Sequence, residues 1–186
     1  MATDGILRQF CGKSAISLKY RRPRRFSISG MNGIPLHPLV VHFAVVLIPL
    51  AAIATIAAAF HEPTRRRLGG WLAALGIVSA GAGVVAASFG ERLLESRPAL
   101  EATLGDHAEL GDIARVVGAG LGLLAVILWL VTDEKSGPKV AAKLPFLRAG
   151  WVMPALRVAV VVVAAGAVVS IFLAGHTGAQ AVWANG

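Results

Sequence analysis

Four apolar runs dominate this chain, at roughly residues 38–60, 69–90, 110–132 and 155–175. A run of about 20 residues at 1.5 Å per residue matches the roughly 30 Å hydrocarbon core of a bilayer. The runs are built mainly from Ala, Val, Leu and Gly and lack the polar–apolar alternation of a barrel strand. Lipid offers no partner to backbone N–H and C=O groups, so each run must satisfy them internally, and that requires helix. The expectation is an all-α, polytopic membrane four-helix bundle. Composition agrees: hydrophobic residues are 56% and charged residues 15% of the 186, with a mean hydropathy of +0.70. A protein this small cannot turn so much apolar surface inward, and its solvent is the lipid bilayer.

The formal net charge of +8 suggests nucleic acid or an anionic surface only until it is located. Before Gly33, Arg8, Lys13, Lys19, Arg21, Arg22, Arg24 and Arg25 stand against Asp4 alone, about +6 of the total. The charge belongs to residues 1–32, which are aperiodic and expected to form a disordered basic tail, and not to the domain at 33–186. No nucleic-acid partner is expected. The arginine pairs in Arg21-Arg22-Pro23-Arg24-Arg25-Phe26 resemble a twin-arginine export signal, but the span beyond them is too long and has no small-residue cleavage site. Met31, just ahead of Asn32-Gly33-Ile34-Pro35, is an alternative start, in which case the tail is not translated. Cys11, the only cysteine, lies in this tail, which excludes an internal disulfide and any cysteine-ligated metal or iron–sulfur centre.

The loops set orientation. Arg65, Arg66 and Arg67 lie between the first two runs, and Lys135, Lys139, Lys143 and Arg148 between the last two, whereas the connection around Glu91 to Asp112 is net acidic. By the positive-inside rule the first and third connections are cytoplasmic, and both ends of the domain face outward. Gly76, Gly81 and Gly83 in the second run, with Gly118, Gly120 and Gly122 in the third, offer small surfaces for close helix contact; Gly118 and Gly122 stand in GxxxG register. Pro49 is expected to bend the first helix. Trp71, Trp129, Trp151 and Trp183 fall near span ends, where indoles favour the interface. The segment from Arg92 to Asp106 reads as a short surface helix or a solvated connection.

Following the chain up and down collects His37, His42, Glu91, Arg92, His107, Glu109, Asp112 and His176 at one membrane face, with His61 alone on the other. His42 lies about one turn inside the first span, where an ionisable group is costly and calls for a function or a buried partner. Five residues separate it from His37, about 140° of helix rotation, so the two do not share one small ion while both are helical, and they converge only if His37 sits in an irregular lead-in to the helix. His37 is the better helix cap and His42 the better ligand. The alternative is that His42 donates to a carbonyl or pairs with Glu91.

Leu36-His37-Pro38-Leu39-Val40-Val41-His42-Phe43, Phe89-Gly90-Glu91, Asp106-His107-Ala108-Glu109-Leu110-Gly111 and Gly175-His176-Thr177-Gly178-Ala179 before Trp183 resemble the hallmarks of a bacterial four-helix membrane family. That family is catalogued as domain of unknown function 2231, and the likeness runs from about residue 33 to 183. The family pattern continues VHF with Pro where this chain has Ala44, so a straighter helix start is expected. The resemblance implies a bacterial inner-membrane protein with its polar motifs on the outer face. It brings no established activity, although relatives joined to Rieske or cytochrome modules imply redox surroundings and a redox partner protein.

Three functions follow from the residues. Facing imidazoles in a bundle can ligate a b-type haem for electron transfer, with His42 and either His107 or His176 as the pair and Gly90 or Gly175 making room for the macrocycle. Alternatively His37, His42, His107 and His176, with Glu91, hold a transition metal such as Zn, Cu or Fe. In the third reading the chain is a structural or accessory membrane protein, or a small transporter or proton relay, whose polar groups satisfy one another. Enzymatic hydrolysis has little support, because Ser88 lacks a nucleophile-elbow context. Nucleotide binding has none, because the glycines sit inside apolar spans.

Overall fold

The computed structural model of the protein describes residues 36–96 and 101–183, with side chains at 40–95 and 105–180. The basic tail and the side chains of His37 and Trp183 lie outside the described residues. Within them, helices α1 (Leu36–Phe60), α2 (Glu62–Leu68), α3 (Gly70–Ser96), α4 (Glu101–Thr132), α5 (Gly137–Lys143) and α6 (Val152–Trp183) follow one another, with a 3₁₀ turn at Pro145–Arg148 and no strand. Four of these are long and apolar enough to cross a membrane, over Val40–Phe60, Gly70–Glu95, Gly105–Thr132 and Val152–Gln180. The expected all-α bundle is therefore observed. Large apolar side chains such as Val46, Ile53, Val116 and Phe172 are more than 60% exposed on its outside, the surface that lipid covers.

Helix α3 packs between α1 and α4, and α6 closes the ring between α4 and α1. The interior is built largely from small residues. One core cluster joins Ala44, Ile48, Ala51 and Ala52 of α1 to Leu121, Ala164 and Ala167. A second joins Ala58, Ala59, Leu72, Ala125, Leu128, Leu156 and Val160. The closest approach is between α3 and α4, where a Cβ on Gly122 would stand 2.5 Å from the Gly76 carbonyl oxygen, and one on Gly76 would stand 2.8 Å from the Ala125 Cβ. Gly118 does not share this seam as the GxxxG spacing suggests. It faces Ile48 of α1, whose Cδ1 would lie 3.2 Å from an added Cβ. In a bundle α4 has neighbours on more than one side, so residues one turn apart serve different contacts.

The helix ends depart from the apolar boundaries. The third span starts earlier than 110, and α4 begins at Glu101; α6 outruns 175 and carries the Gly175–Ala179 motif on helix. Of the segment read as a short surface helix or a solvated connection, residues 92–96 end α3 and residues 101–106 begin α4, and residues 97–100 lie outside those described. Apolarity marks where a helix meets lipid, whereas charged residues such as Asp106 and Glu109 are tolerated in the solvated first turns of the same helix. Helix α1 continues unbroken through Pro49.

At the end of α1 the chain turns through His61. Its extended backbone caps α2, and its Nδ1 accepts from the Thr64 N–H at 3.3 Å. Gly69, at φ +47°, ends that short helix with a conformation that favours glycine. Two arginines satisfy the last carbonyls of α1: Arg65 donates to Ala58 O and Arg157, from inside the fourth span, donates to Ala59 O, both at 3.0 Å. Trp71 and Trp151 are exposed at this arginine-rich end, as an interfacial role requires. Trp129 departs from that expectation. Its Nε1 is buried, and its ring lies 4.0 Å from the Cβ position of Gly70, so the indole packs against the start of α3.

Past α4, Asp133 accepts from the backbone N–H groups of Ser136 and Lys135 at 3.0 and 3.2 Å. The Ser136 bond in particular holds its carboxyl below the usual carboxylate range. A folded pKa below the unfolded one contributes stability above the ordinary carboxylate range, and that contribution is lost as pH falls through the folded value. The difference in thermal stability between the parent and Asp133→Ala is thus expected to be full at pH 7 and to shrink as pH falls below about 4, measured by thermal unfolding in detergent. For the helix seam, Gly122→Leu is expected to destabilise the bundle by about 1–3 kcal/mol, the usual cost of overpacking. Gly81→Ala, where an added Cβ meets nothing within 4 Å, should unfold with the parent in the same assay.

Candidate functional site: a cavity at the histidine end of the bundle

The end of the bundle away from the arginine-rich loops holds a cavity of about 290 Å³ to which all four long helices contribute. Small residues make its walls: Ala44 of α1, Gly83, Ala86 and Gly90 of α3, Gly111 of α4 and Gly175 of α6. A Cβ added at Gly90, Gly111 or Gly175 would meet nothing within 4 Å. The floor is Ile48, which is fully buried where it packs beside Gly83 and Gly118. The polar side chains on the lining are His107, Glu91, Asp112 and Arg115.

His107 is fixed by two residues of α6. Its Nδ1 lies 2.8 Å from the Ala174 carbonyl oxygen, and since a carbonyl only accepts, Nδ1 carries the proton. In the neutral ring Nε2 then holds the lone pair. Gly178 makes the space: an added Cβ would lie 2.9 Å from Cε1 and 3.0 Å from Nδ1 of the imidazole. The second glycine of the Gly175–Ala179 motif is thus explained by the ring it receives from α4.

Arg115 stands about 15 Å along α4 from the Gly105 end of its span, at a depth where an unpaired guanidinium is costly. It binds two carboxylates, Glu91 of α3 at 3.0 Å and Asp112 of its own helix at 3.1 Å. The arginine is about two-thirds buried and each acid about half. This link ties α3 to α4 at the histidine end, as the Gly76 and Gly122 contact does nearer the other end.

The residues selected from sequence are divided by this geometry. Glu91, Asp112 and His107 line the same cavity. His176 does not join them: it is exposed, its ring parallel to that of Phe172 with centroids 6.4 Å apart. It borders an adjoining groove between α1 and α6, lined with Pro49 and Phe172 and sharing Val45, Ile171 and Gly175 with the cavity. Helical phase is the reason, since Ala174 and Gly178 face inward and Phe172 and His176, two residues on, turn outward. His42 is exposed beside the cavity-lining Val41, and Arg92 and Glu109 are exposed as well. The side chain of His37 lies outside the described residues. Among those described, no group of three or more His, Cys, Asp or Glu side chains is placed to hold a metal ion. Ser88 donates its hydroxyl to Val84 O of its own helix at 3.0 Å.

Sequence reasoning missed Arg115 and Arg157, although the signal was present. Each is a lone cation inside an apolar run, as unexpected there as His42. With long apolar helices, apolar side chains on the outside and, within the spans, Arg115 paired with carboxylates and Arg157 bonded to a helix-end carbonyl, the chain is a polytopic helical membrane protein. Residues 33–186 match the family described as predicted membrane protein (DUF2231), and the chain belongs to that family. No curated protein and no solved structure matches it.

Replacing Arg115 by Ala leaves two carboxylates without their cation in an apolar wall and is expected to cost about 2 kcal/mol, between the values for exposed and buried pairs. Adding Glu91→Gln and Asp112→Asn to that variant should recover part of the loss. Unfolding midpoints in detergent for the single and triple variants check both expectations.

Proposed function

We propose that this membrane protein binds a lipid-soluble small molecule in the cavity at the histidine end of its bundle, with His107 as the polar contact. In this reading the protein lies in the bacterial inner membrane with that end outward, which the acidic connection between α3 and α4 and the basic loops at the other end support. The observation that carries the proposal is the cavity. Small residues on all four helices leave it open, its lining is mostly apolar, and one imidazole, fixed through Nδ1, has no hydrogen bond at Nε2 among the described residues.

Electron transfer through haem is the more specific form considered for this fold. His107, through Nε2, would be the one described imidazole on the lining to hold a haem, which would supply one-electron chemistry when bound. The second axial imidazole is not available from the described side chains, because His176 faces outward and His42 is not on the lining. A bis-histidine haem does not fit these residues. A transition-metal site lacks the three donors it would need among the described residues.

Organic extraction of protein purified in nanodiscs is expected to release a lipid-soluble species close to one per chain. Ala86→Phe, which fills the cavity, should lose it, and His107→Ala should retain it less well, by about tenfold in affinity for one lost hydrogen bond. Val46→Phe on the lipid-facing surface serves as the control and should retain it. Equal recovery from Ala86→Phe and Val46→Phe would overturn the reading. A bis-histidine haem spectrum from the same preparation would replace it with the haem reading.

A further inference from the structure

The charges on the cavity lining do not balance. Two carboxylates, Glu91 and Asp112, share one guanidinium, and His107 is the only other titratable side chain on that lining among the described residues. The formal charge of the Glu91–Arg115–Asp112 cluster is therefore −1. Arg115 gives one nitrogen to each acid, Nη1 to Oε1 of Glu91 and Nη2 to Oδ1 of Asp112, so its positive charge is already committed. Among the described residues, one carboxylate oxygen of each acid has no further partner. The residues next in sequence to the lining have the same sign: Glu95, Asp106 and Glu109, beside Leu94, His107 and Ala108, are exposed, with Arg92 the one cation among the described residues of these stretches.

An excess negative charge beside an apolar, partly dehydrated wall is unfavourable, and a cation in the cavity relieves it. An anion would meet the two acids with no free guanidinium to receive it. An inorganic cation would find too few ligands, since no group of three or more donor side chains converges among the described residues. An organic cation uses both features: its charge lies against Glu91 and Asp112, and its apolar body fills the space walled by Ala44, Ala86 and Gly175.

We propose that the cavity selects organic cations, small ammonium-type molecules with an apolar body. The inference rests on the ligand-binding reading above and deepens it by naming the ligand class.

Phenyltrimethylammonium and tert-butylbenzene have nearly the same shape and differ by a charged nitrogen in place of a carbon, so they separate charge from fit. Binding of each is measured by calorimetry to the full chain in phosphatidylcholine nanodiscs, which carry no net lipid charge, with empty nanodiscs subtracted. The cation is expected to bind about tenfold or more tightly than the neutral isostere, as an added attraction at partly screened distances gives. In Glu91→Gln combined with Asp112→Asn the preference should disappear while tert-butylbenzene binding stays. Ala86→Phe should remove both ligands. Equal or tighter binding of tert-butylbenzene to the parent overturns the cation inference and leaves the cavity reading standing. Failure of both probes to bind the parent overturns both. Cation binding that survives Ala86→Phe assigns it to the surface and overturns the inference. The comparison of the two probes on the parent needs no variant, so misfolding of the double substitution does not remove the test.

Discussion

Helices in lipid gain no hydrophobic drive to associate, so they are held by how closely their backbones can approach. Here that approach is the contact of Gly76 with Gly122, where neither position has room for a Cβ. Around it the interior is alanine-rich, and Leu121 and Leu128 fill what the alanines leave. The same preference for small residues has the opposite effect at the histidine end. There Gly90, Gly111 and Gly175 face open space, and the missing side chains become a cavity. One compositional feature thus gives tight packing where facing residues meet and a binding volume where the helices stand apart.

The polar groups divide along the same axis. At the arginine end they serve the backbone: His61 caps α2, and Arg65 and Arg157 take the last carbonyls of α1. These bonds complete helices whose ends would otherwise leave carbonyls without partners near lipid. At the histidine end the polar side chains bind across helices, Arg115 to Glu91 and His107 to Ala174. They fix the walls of the cavity while leaving acceptor atoms on it, and the functional reading comes from this asymmetry.

Much of the architecture was legible in the chain because bilayer thickness imposes a length and lipid forbids unsatisfied backbone. The four runs read from hydropathy correspond to the four long helices, and the alternation of loops brings Val41, Glu91, His107 and Gly178 to one cavity. The helix ends were less legible, because hydropathy reports the lipid contact and not the hydrogen-bonded helix that extends past it. Of the residues on the cavity lining, His107, Glu91 and Asp112 were placed at this end by following the chain up and down. Arg115 passed unnoticed among the apolar residues of its run.

By itself the sequence determined the fold class, the number of spans, the end at which the acidic and histidine-bearing motifs collect and the family likeness. All of these depend on composition along the chain and on distances that run length sets. Tertiary structure alone decided which residues share a surface. It put His107 inward and His176 outward, gave Glu91 to Arg115, and gave Gly178 its purpose beside an imidazole from another helix. The reason is rotational: a helix turns about 100° per residue, so the face a side chain presents depends on how each helix is rotated against its neighbours. That rotation is set by the close contacts of glycines and alanines, which carry no polar signal in the sequence.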